Sequence, residues 1–179
     1  MSGQAPDPRR NPWRPDLAAE SLRGQVAAAR FVAGREMRVA IGNTPLRAAP
    51  DPGRAFTSEA LFGETFTMFE DREGWAWGQL ASDGYVGYLA ASDLSPPGPP
   101  PTHRVSALRS YLYPAADIKA PPLDLLSMNC LVAVEVMEGG FARLAGAGFM
   151  SQCHLAPLPA AETDFVAIAE RFVGTPYLW

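Results

Sequence analysis

The stretch Phe66-Thr67-Met68-Phe69-Glu70, followed by Gly74-Trp75-Ala76-Trp77-Gly78-Gln79-Leu80, Asp83-Gly84 and Tyr85-Val86-Gly87-Tyr88-Leu89-Ala90, decides the fold class. Its apolar runs are short and bounded by turn residues, the mark of small strands rather than helices. Asp83-Gly84 falls between two of these runs and reads as a type I′ hairpin turn, because Asp and Gly tolerate the positive φ it requires. Residues 131–136 and 141–145 read as further strands of the same kind. Gly139-Gly140 and Gly146-Ala147-Gly148 read as hairpin turns, since neither precedes the Lys-Ser/Thr and helix of a phosphate-binding loop. The chain is therefore expected to be mainly β.

Between these two groups of strands lies Ser95-Pro96-Pro97-Gly98-Pro99-Pro100-Pro101-Thr102. Missing amide protons and fixed φ block both ladder and helix there, so 96–102 is read as an interdomain linker, with a polyproline II ligand as the competing reading. The flanking halves resemble each other. Leu61 falls on Leu126, Phe66 on Leu131, Met68 on Ala133 and Glu70 on Glu135 at one constant offset of 65 residues. A repeated all-β unit fits two small barrels, over 36–95 and 103–159, better than one sandwich.

The two ends differ from this pattern. Residues 1–15 carry Pro6, Pro8, Pro12 and Pro15 among charges and lack the apolar density to order alone, so they read as a flexible tail. Asp16 is expected to cap a short helix running to about Leu22, completing an N-terminal segment of 1–35. Near the other end, Asp164 caps a run in which Phe165, Ile168, Ala169, Phe172 and Val173 share one helical face until Gly174 and Pro176 stop it. The aromatic residues Tyr177 and Trp179 follow, and nothing in the sequence supplies a partner for that face. Residues 160–179 thus read as the opening of a further domain, cut short.

Composition excludes several function classes. The 179 residues hold 15 Lys+Arg against 19 Asp+Glu, a net charge of -4, with no basic cluster to replace the counterions of a nucleic acid or an anionic membrane. No apolar run reaches the roughly 18 residues needed to cross a bilayer. No secretory signal is seen at the start, which makes the cytoplasm the expected compartment. Cys130 and Cys153 have no Cys-x-x-Cys spacing, and His103 and His154 are the only imidazoles, so neither a metal site nor a cofactor is expected.

Leu61-Phe62-Gly63-Glu64, Gly74-Trp75 and Asp83-Gly84-Tyr85-Val86-Gly87-Tyr88-Leu89 together resemble the first bacterial SH3 domain of NlpC/P60 cell-wall peptidases. Pro101-Thr102-His103-Arg104-Val105 and the segment from Gly148-Phe149 to His154-Leu155 are similar to the second such domain, and Phe172-Val173-Gly174-Thr175-Pro176-Tyr177-Leu178-Trp179 to the opening of the catalytic domain. The resemblance implies two tandem SH3-like barrels placed before a cysteine peptidase that hydrolyses γ-D-glutamyl-diamino acid bonds of peptidoglycan peptides. The family's Asp-Cys-Ser-Gly motif and its histidine partners are not in this sequence. The polypeptide is therefore expected to hold no catalytic residues and to be inactive alone, its partners being the missing catalytic domain and a peptide with a free N-terminal L-alanine.

Cys153 and His154 do not make a nucleophile and base, since neighbours on a strand face opposite ways; Cys130 reads as a buried thiol. Glu64 shares parity with Phe66 and Met68 and, taken alone, is a solvated or salt-bridged rim carboxylate. The resemblance implies that Glu64 faces the catalytic cleft and pairs with the substrate ammonium. Tyr85 reads equally as a hairpin aromatic or, by the resemblance, as a phenol hydrogen-bonding the peptide. Trp75 and Trp77 share one strand face and form a platform for a ligand or, preferably, for the neighbouring domain. The alternative function is a stand-alone binding module that uses the Trp75 and Trp77 face for cell-wall peptide or a protein partner.

Overall fold

A computed structural model describes residues 6–176 and shows a mainly β chain divided into two units. Tyr177, Leu178 and Trp179, which carry the last part of the family resemblance, lie outside the described residues. The first unit takes in the chain as far as Ala40, Thr44–Ala60 and Glu64–Pro97; the second takes in Ile41–Asn43, Leu61–Gly63 and the chain from Gly98 onward.

The strands of the first unit are β1 (Ala18–Ala19), β2 (Phe31–Val32), β3 (Arg35–Val39), β4 (Asn43–Arg47), β5 (Phe56–Leu61), β6 (Thr65–Arg72), β7 (Trp75–Leu80), β8 (Val86–Ala90) and β9 (Leu94–Ser95). Seven of them form one sheet in the order β5-β4-β8-β7-β6-β3-β9. Alternation along β6 buries Phe66 and Met68, and these pack with Val39, Leu46, Leu80 and Leu89. Burying a side chain the size of Phe66 contributes roughly 1.5–3 kcal/mol, so this inward face drives the sheet to fold. Gly78 lies where β7 crosses the Phe66 ring. A Cβ there would sit 2.6 Å from that ring and run into the Thr67 carbonyl.

The two-residue loop with positive φ lies at Glu73-Gly74 rather than at Asp83-Gly84. Arg72 pairs with Trp75, leaving Glu73 and Gly74 as the loop, both at positive φ (54° and 81°). Between β7 and β8 only Gly84 has positive φ. Asp83 instead turns the chain with its side chain, its carboxylate accepting from the Tyr85 amide at 2.9 Å and the Ser58 hydroxyl at 2.5 Å.

The N-terminal expectations are corrected. Residues 16–22 are not an α-helix: Ala18 and Ala19 pair in parallel with Phe31 and Val32, and a single 3-10 turn follows at Glu20–Leu22 with no side-chain cap. Asp16 does not cap because its carboxylate accepts from Arg14 at 3.1 and 2.9 Å. From residue 6 the segment is laid against the first unit's sheet, not left as a tail. The Val86 amide donates to the Arg9 carbonyl at 2.8 Å, Gln79 donates to the Arg10 carbonyl at 2.8 Å, and Trp13 donates to the Pro6 carbonyl at 2.8 Å.

The second unit contains β10 (His103–Val105), β11 (Arg109–Leu112), β12 (Asp124–Ser127), β13 (Leu131–Val132), β14 (Val134–Glu138), β15 (Phe141–Leu144), β16 (Gly148–Ser151), β17 (Leu155–Pro157) and the helix α1 (Phe165–Glu170). Its core gathers Val105, Leu112, Leu126, Val132, Leu144 and Met150. Element order repeats between the units: a first strand pairs with a last one, β3 with β9 and β10 with β17, and a 3-10 turn precedes each last strand (Ala91–Asp93 and Gln152–His154). The ladders do not close into barrels. The strand order of the first sheet begins at β5 and ends at β9 without joining them, and the second unit is split into three short sheets. A bulge between Val134 and Val136 and prolines at 114, 121 and 122 interrupt the pairing. The helix starts where expected, with Asp164 accepting from the amides of Val166 and Ala167 at 3.0 Å each, but it ends at Glu170, and Phe172 and Val173 fall in the turns that follow.

Candidate functional site

Glu64 stands one residue before β6 and its carbonyl accepts from the Val39 amide at 3.0 Å. Tyr85 stands one residue before β8. Its carbonyl accepts from Leu80 at 3.0 Å and its side chain rests on the first unit's core. The Ala81 amide donates to the Thr65 carbonyl at 3.0 Å. These bonds put Glu64 and Tyr85 at the same end of the sheet, on the two strands that flank β7, and both residues are half-buried. Two strand spacings separate their backbones by about 10 Å, the span of a short peptide. The Arg10 guanidinium lies 4.5 Å from the Tyr85 ring centre, and its Nη1 donates to the Asp83 carbonyl at 2.6 Å, so the N-terminal segment reaches this end of the sheet.

Trp75 and Trp77 belong to a different place. The expected platform is not presented: Trp77 is 3% exposed, with the Arg14 guanidinium 4.3 Å over its ring and Phe69 tilted against it at 5.8 Å. Its cover comes from the same unit rather than from a neighbouring domain. A register shift between Met68 and Glu70 inserts Phe69 as an extra residue, so that Phe69 and Glu70 both serve this outer face. Trp75, half-buried, lines a cavity of about 450 Å³ with Arg14, Asp16, Glu70, Arg72 and Tyr88. Glu64 and Tyr85 are not among its lining residues.

The sequence reading missed Arg14 and Glu70, which organise that cavity. Arg14 Nη2 donates to Glu70 at 2.6 Å and to Asp16 at 2.9 Å, while Nη1 donates to the Tyr88 hydroxyl at 2.8 Å. Burial alone would loosen the Arg14 proton, but the hydrogen bonds to Asp16 and Glu70 outweigh it and hold the guanidinium charged above its usual range. The same bond from Arg14 holds the Asp16 carboxyl below the usual carboxylate range. One sequence signal for Glu70 was present, its repeat counterpart Glu135 at the 65-residue offset, and in the structure Glu135 also takes an arginine, Arg143, at 3.0 Å. Arg14, set among prolines and charges, gave none.

Neither cysteine has a histidine as base. Cys130 is fully buried and its thiol donates to the Gly42 carbonyl at 3.5 Å. Cys153 is exposed and meets Ser151 at 3.2 Å, whereas His154 Nδ1 lies 2.8 Å from Ser110 Oγ. The pair sits in a 3-10 turn rather than on a strand, and the two side chains still go to different partners. Among the described residues no group of His, Cys, Asp or Glu is arranged to hold a metal ion, and no helix is long and apolar enough to cross a membrane.

Residues 46–94 match the family model of the bacterial dipeptidyl-peptidase SH3 domain, a span that includes Glu64, Trp75, Trp77 and Tyr85. The fold is similar to that of an NlpC/P60 family protein from Bacillus cereus ATCC 10987, at 15% identity and a TM-score of 0.66 over 80% of this chain. The chain spans 65% of the length of that protein. Among other solved structures, NlpC2 from Trichomonas vaginalis matches at 13% identity over 82% of this chain and 57% of its own, with a TM-score of 0.32. No curated protein matches. The resemblance read at residues 61–89 thus stands at the level of the domain: residues 46–94 carry a bacterial SH3 domain of the dipeptidyl-peptidase kind.

Proposed function

We propose that this chain is the docking and substrate-gating part of an NlpC/P60-type cysteine peptidase that cleaves γ-D-glutamyl-diamino acid bonds in peptidoglycan peptides, with two SH3-like units working beside a peptidase domain. The observation that carries this reading is the family match over residues 46–94, which contains both Glu64 and Tyr85 at one end of the sheet. A half-buried carboxylate selects an ammonium, and a substrate whose terminus is blocked leaves it unpaired. Glu64 holds the free amine of the N-terminal L-alanine, and the Tyr85 hydroxyl bonds the peptide. Such an amine exists only after the peptide has been cut from its glycan, so the substrate is a released fragment rather than intact wall.

Calorimetric titration of the chain with L-Ala-γ-D-Glu-diaminopimelate and with its N-acetylated form tests this. The free amine is expected to bind about tenfold or more tightly, a difference of roughly 1.4 kcal/mol, and Glu64→Gln should erase the preference. Equal affinity for the two peptides in the unsubstituted chain would overturn the assignment. The wall-binding alternative keeps only Trp75 of its platform, since Trp77 is covered by Arg14.

A further inference from the structure

The second unit has a cavity of about 480 Å³ whose polar lining is Arg109, Ser110, Tyr111, Tyr113, Ser151 and His154. That volume suits a small ligand. No carboxylate lines it, and among the described residues Arg109 makes no ion pair. Its apolar wall comes from Ile118 and Leu125 together with the two tyrosine rings, which stand 6.1 Å apart at 57°. Tyr111 is 49% and Ile118 71% exposed, a large apolar surface left facing water.

The first unit shows what is special here. Its buried Thr44 donates to Asp93 at 2.6 Å, and Asp93 is the last residue of the 3-10 turn before β9. Buried Ser110 meets His154 at 2.8 Å in the same arrangement, with His154 the last residue of the turn before β17. The strand-to-turn latch is thus kept in both units, but the acid of the first is an imidazole in the second. Structure alone does not require that exchange, because an aspartate serves the latch in the first unit. Its consequence is a cavity lined by an arginine, a histidine and four hydroxyl-bearing residues, with no acidic residue among them. The backbone fixes this arrangement: the His154 carbonyl accepts from Ser106 at 2.8 Å, and Tyr113 and Phe149 exchange two bonds of 2.8 Å. Gly148, at φ 131°, permits that approach, since a Cβ would collide with the Tyr113 carbonyl.

We propose that this cavity binds a small organic carboxylate with an apolar or ring-shaped body, the carboxylate on Arg109 and His154 and the body on Tyr111, Tyr113 and Ile118. Such a ligand can be a sugar acid or the C-terminal end of a peptide. The site lies within the second unit and does not depend on Glu64.

The test is a titration of the full chain, followed by tyrosine fluorescence and by NMR of the His154 ring, with N-acetylmuramic acid and N-acetyl-leucine as the two acids. N-acetylglucosamine and N-acetylleucinamide are their neutral counterparts. At least one acid is expected to bind tenfold or more tightly than its counterpart and to shift the His154 signals; which acid does so identifies the source. His154→Asp keeps a side chain able to hold Ser110, as Asp93 holds Thr44, and should lose that preference while unfolding at an unchanged temperature. Arg109→Gln, at an exposed position, should do likewise. Acids and neutral compounds binding alike, no binding by any of the four, or a preference that survives both substitutions would each overturn the proposal. Glu64→Gln, which tests the amine pocket, should leave this binding intact.

Discussion

Arg14 shows how much one side chain can hold at the residue scale. Its guanidinium stacks on Trp77, joins Glu70 at 2.6 Å with both side chains about one-fifth exposed, and reaches the Tyr88 hydroxyl. Removing Arg14 leaves Glu70 with only Arg30, at 3.3 Å, and here it also uncovers an indole. Arg14→Ala should therefore destabilise the chain by about 1–3 kcal/mol in urea unfolding, with tryptophan emission shifted to the red. Arg14→Lys should recover little, because a point charge cannot stack on Trp77 while serving Glu70, Asp16 and Tyr88 together. Equal stability of the alanine variant would show that the contacts are idle. Asp16 adds a pH dependence whose sign is fixed. Its carboxyl is held below its ordinary value by the hydrogen bond from Arg14, so the stabilisation is present above that ordinary value and is lost as pH falls through the lower folded one. The effect is small because the Asp16 side chain is 65% exposed, and Asp16→Asn should shift the acid end of the stability curve only slightly.

At the scale of the element, the β6-β7-β8 meander carries both Glu64 and Tyr85 at one end, so its register controls the candidate site. Gly78→Ala would push a methyl group into the Phe66 ring and the Thr67 carbonyl. An overpacked site of this kind costs about 1–3 kcal/mol, and each kcal/mol lowers Tm by roughly 4–8 °C in a domain of this size, which a melting curve would read directly. The meander was legible in the sequence because alternation is a local signal: 66–70, 74–80 and 85–90 fall on β6, β7 and β8, and Trp75 and Trp77 share a face as parity required. The turn at 73–74 was less legible, since Glu73 is not a residue type that advertises positive φ. The cover over Trp77 was not legible at all. It depends on Arg14, 56 residues from its partner Glu70, within a segment whose composition signals disorder. Asp164 and the start of the helix after it were read correctly for the opposite reason, because a cap acts across two or three residues. Within the candidate site, sequence supplied Glu64 and Tyr85 through resemblance, whereas Arg10 over Tyr85 is a contact that no local pattern reveals.

At the scale of the whole molecule, the question is whether these units can do chemistry without a peptidase domain. Thiol hydrolysis needs a thiolate within reach of a base. Cys130 is sealed in the second unit's core, and Cys153 is exposed but lies beside Ser151, while the neighbouring imidazole is turned to Ser110. Two outcomes follow from that arrangement. Iodoacetamide should label Cys153 in the native chain and reach Cys130 only after denaturation, as mass spectrometry of the digested protein would show. Incubation with L-Ala-γ-D-Glu-diaminopimelate should release no L-Ala-D-Glu, however long the exposure, because the binding proposed at Glu64 would position an amine and activate nothing. Release of that dipeptide, lost on Cys153→Ser, would mean that Cys153 finds a base by rearrangement of the 3-10 turn, and the division between docking and catalysis would fall. With no release, addition of a peptidase domain should create the activity, and Glu64→Gln should then lower kcat/KM for free-amine substrates by about 1–3 kcal/mol in transition-state binding while leaving N-blocked substrates unchanged.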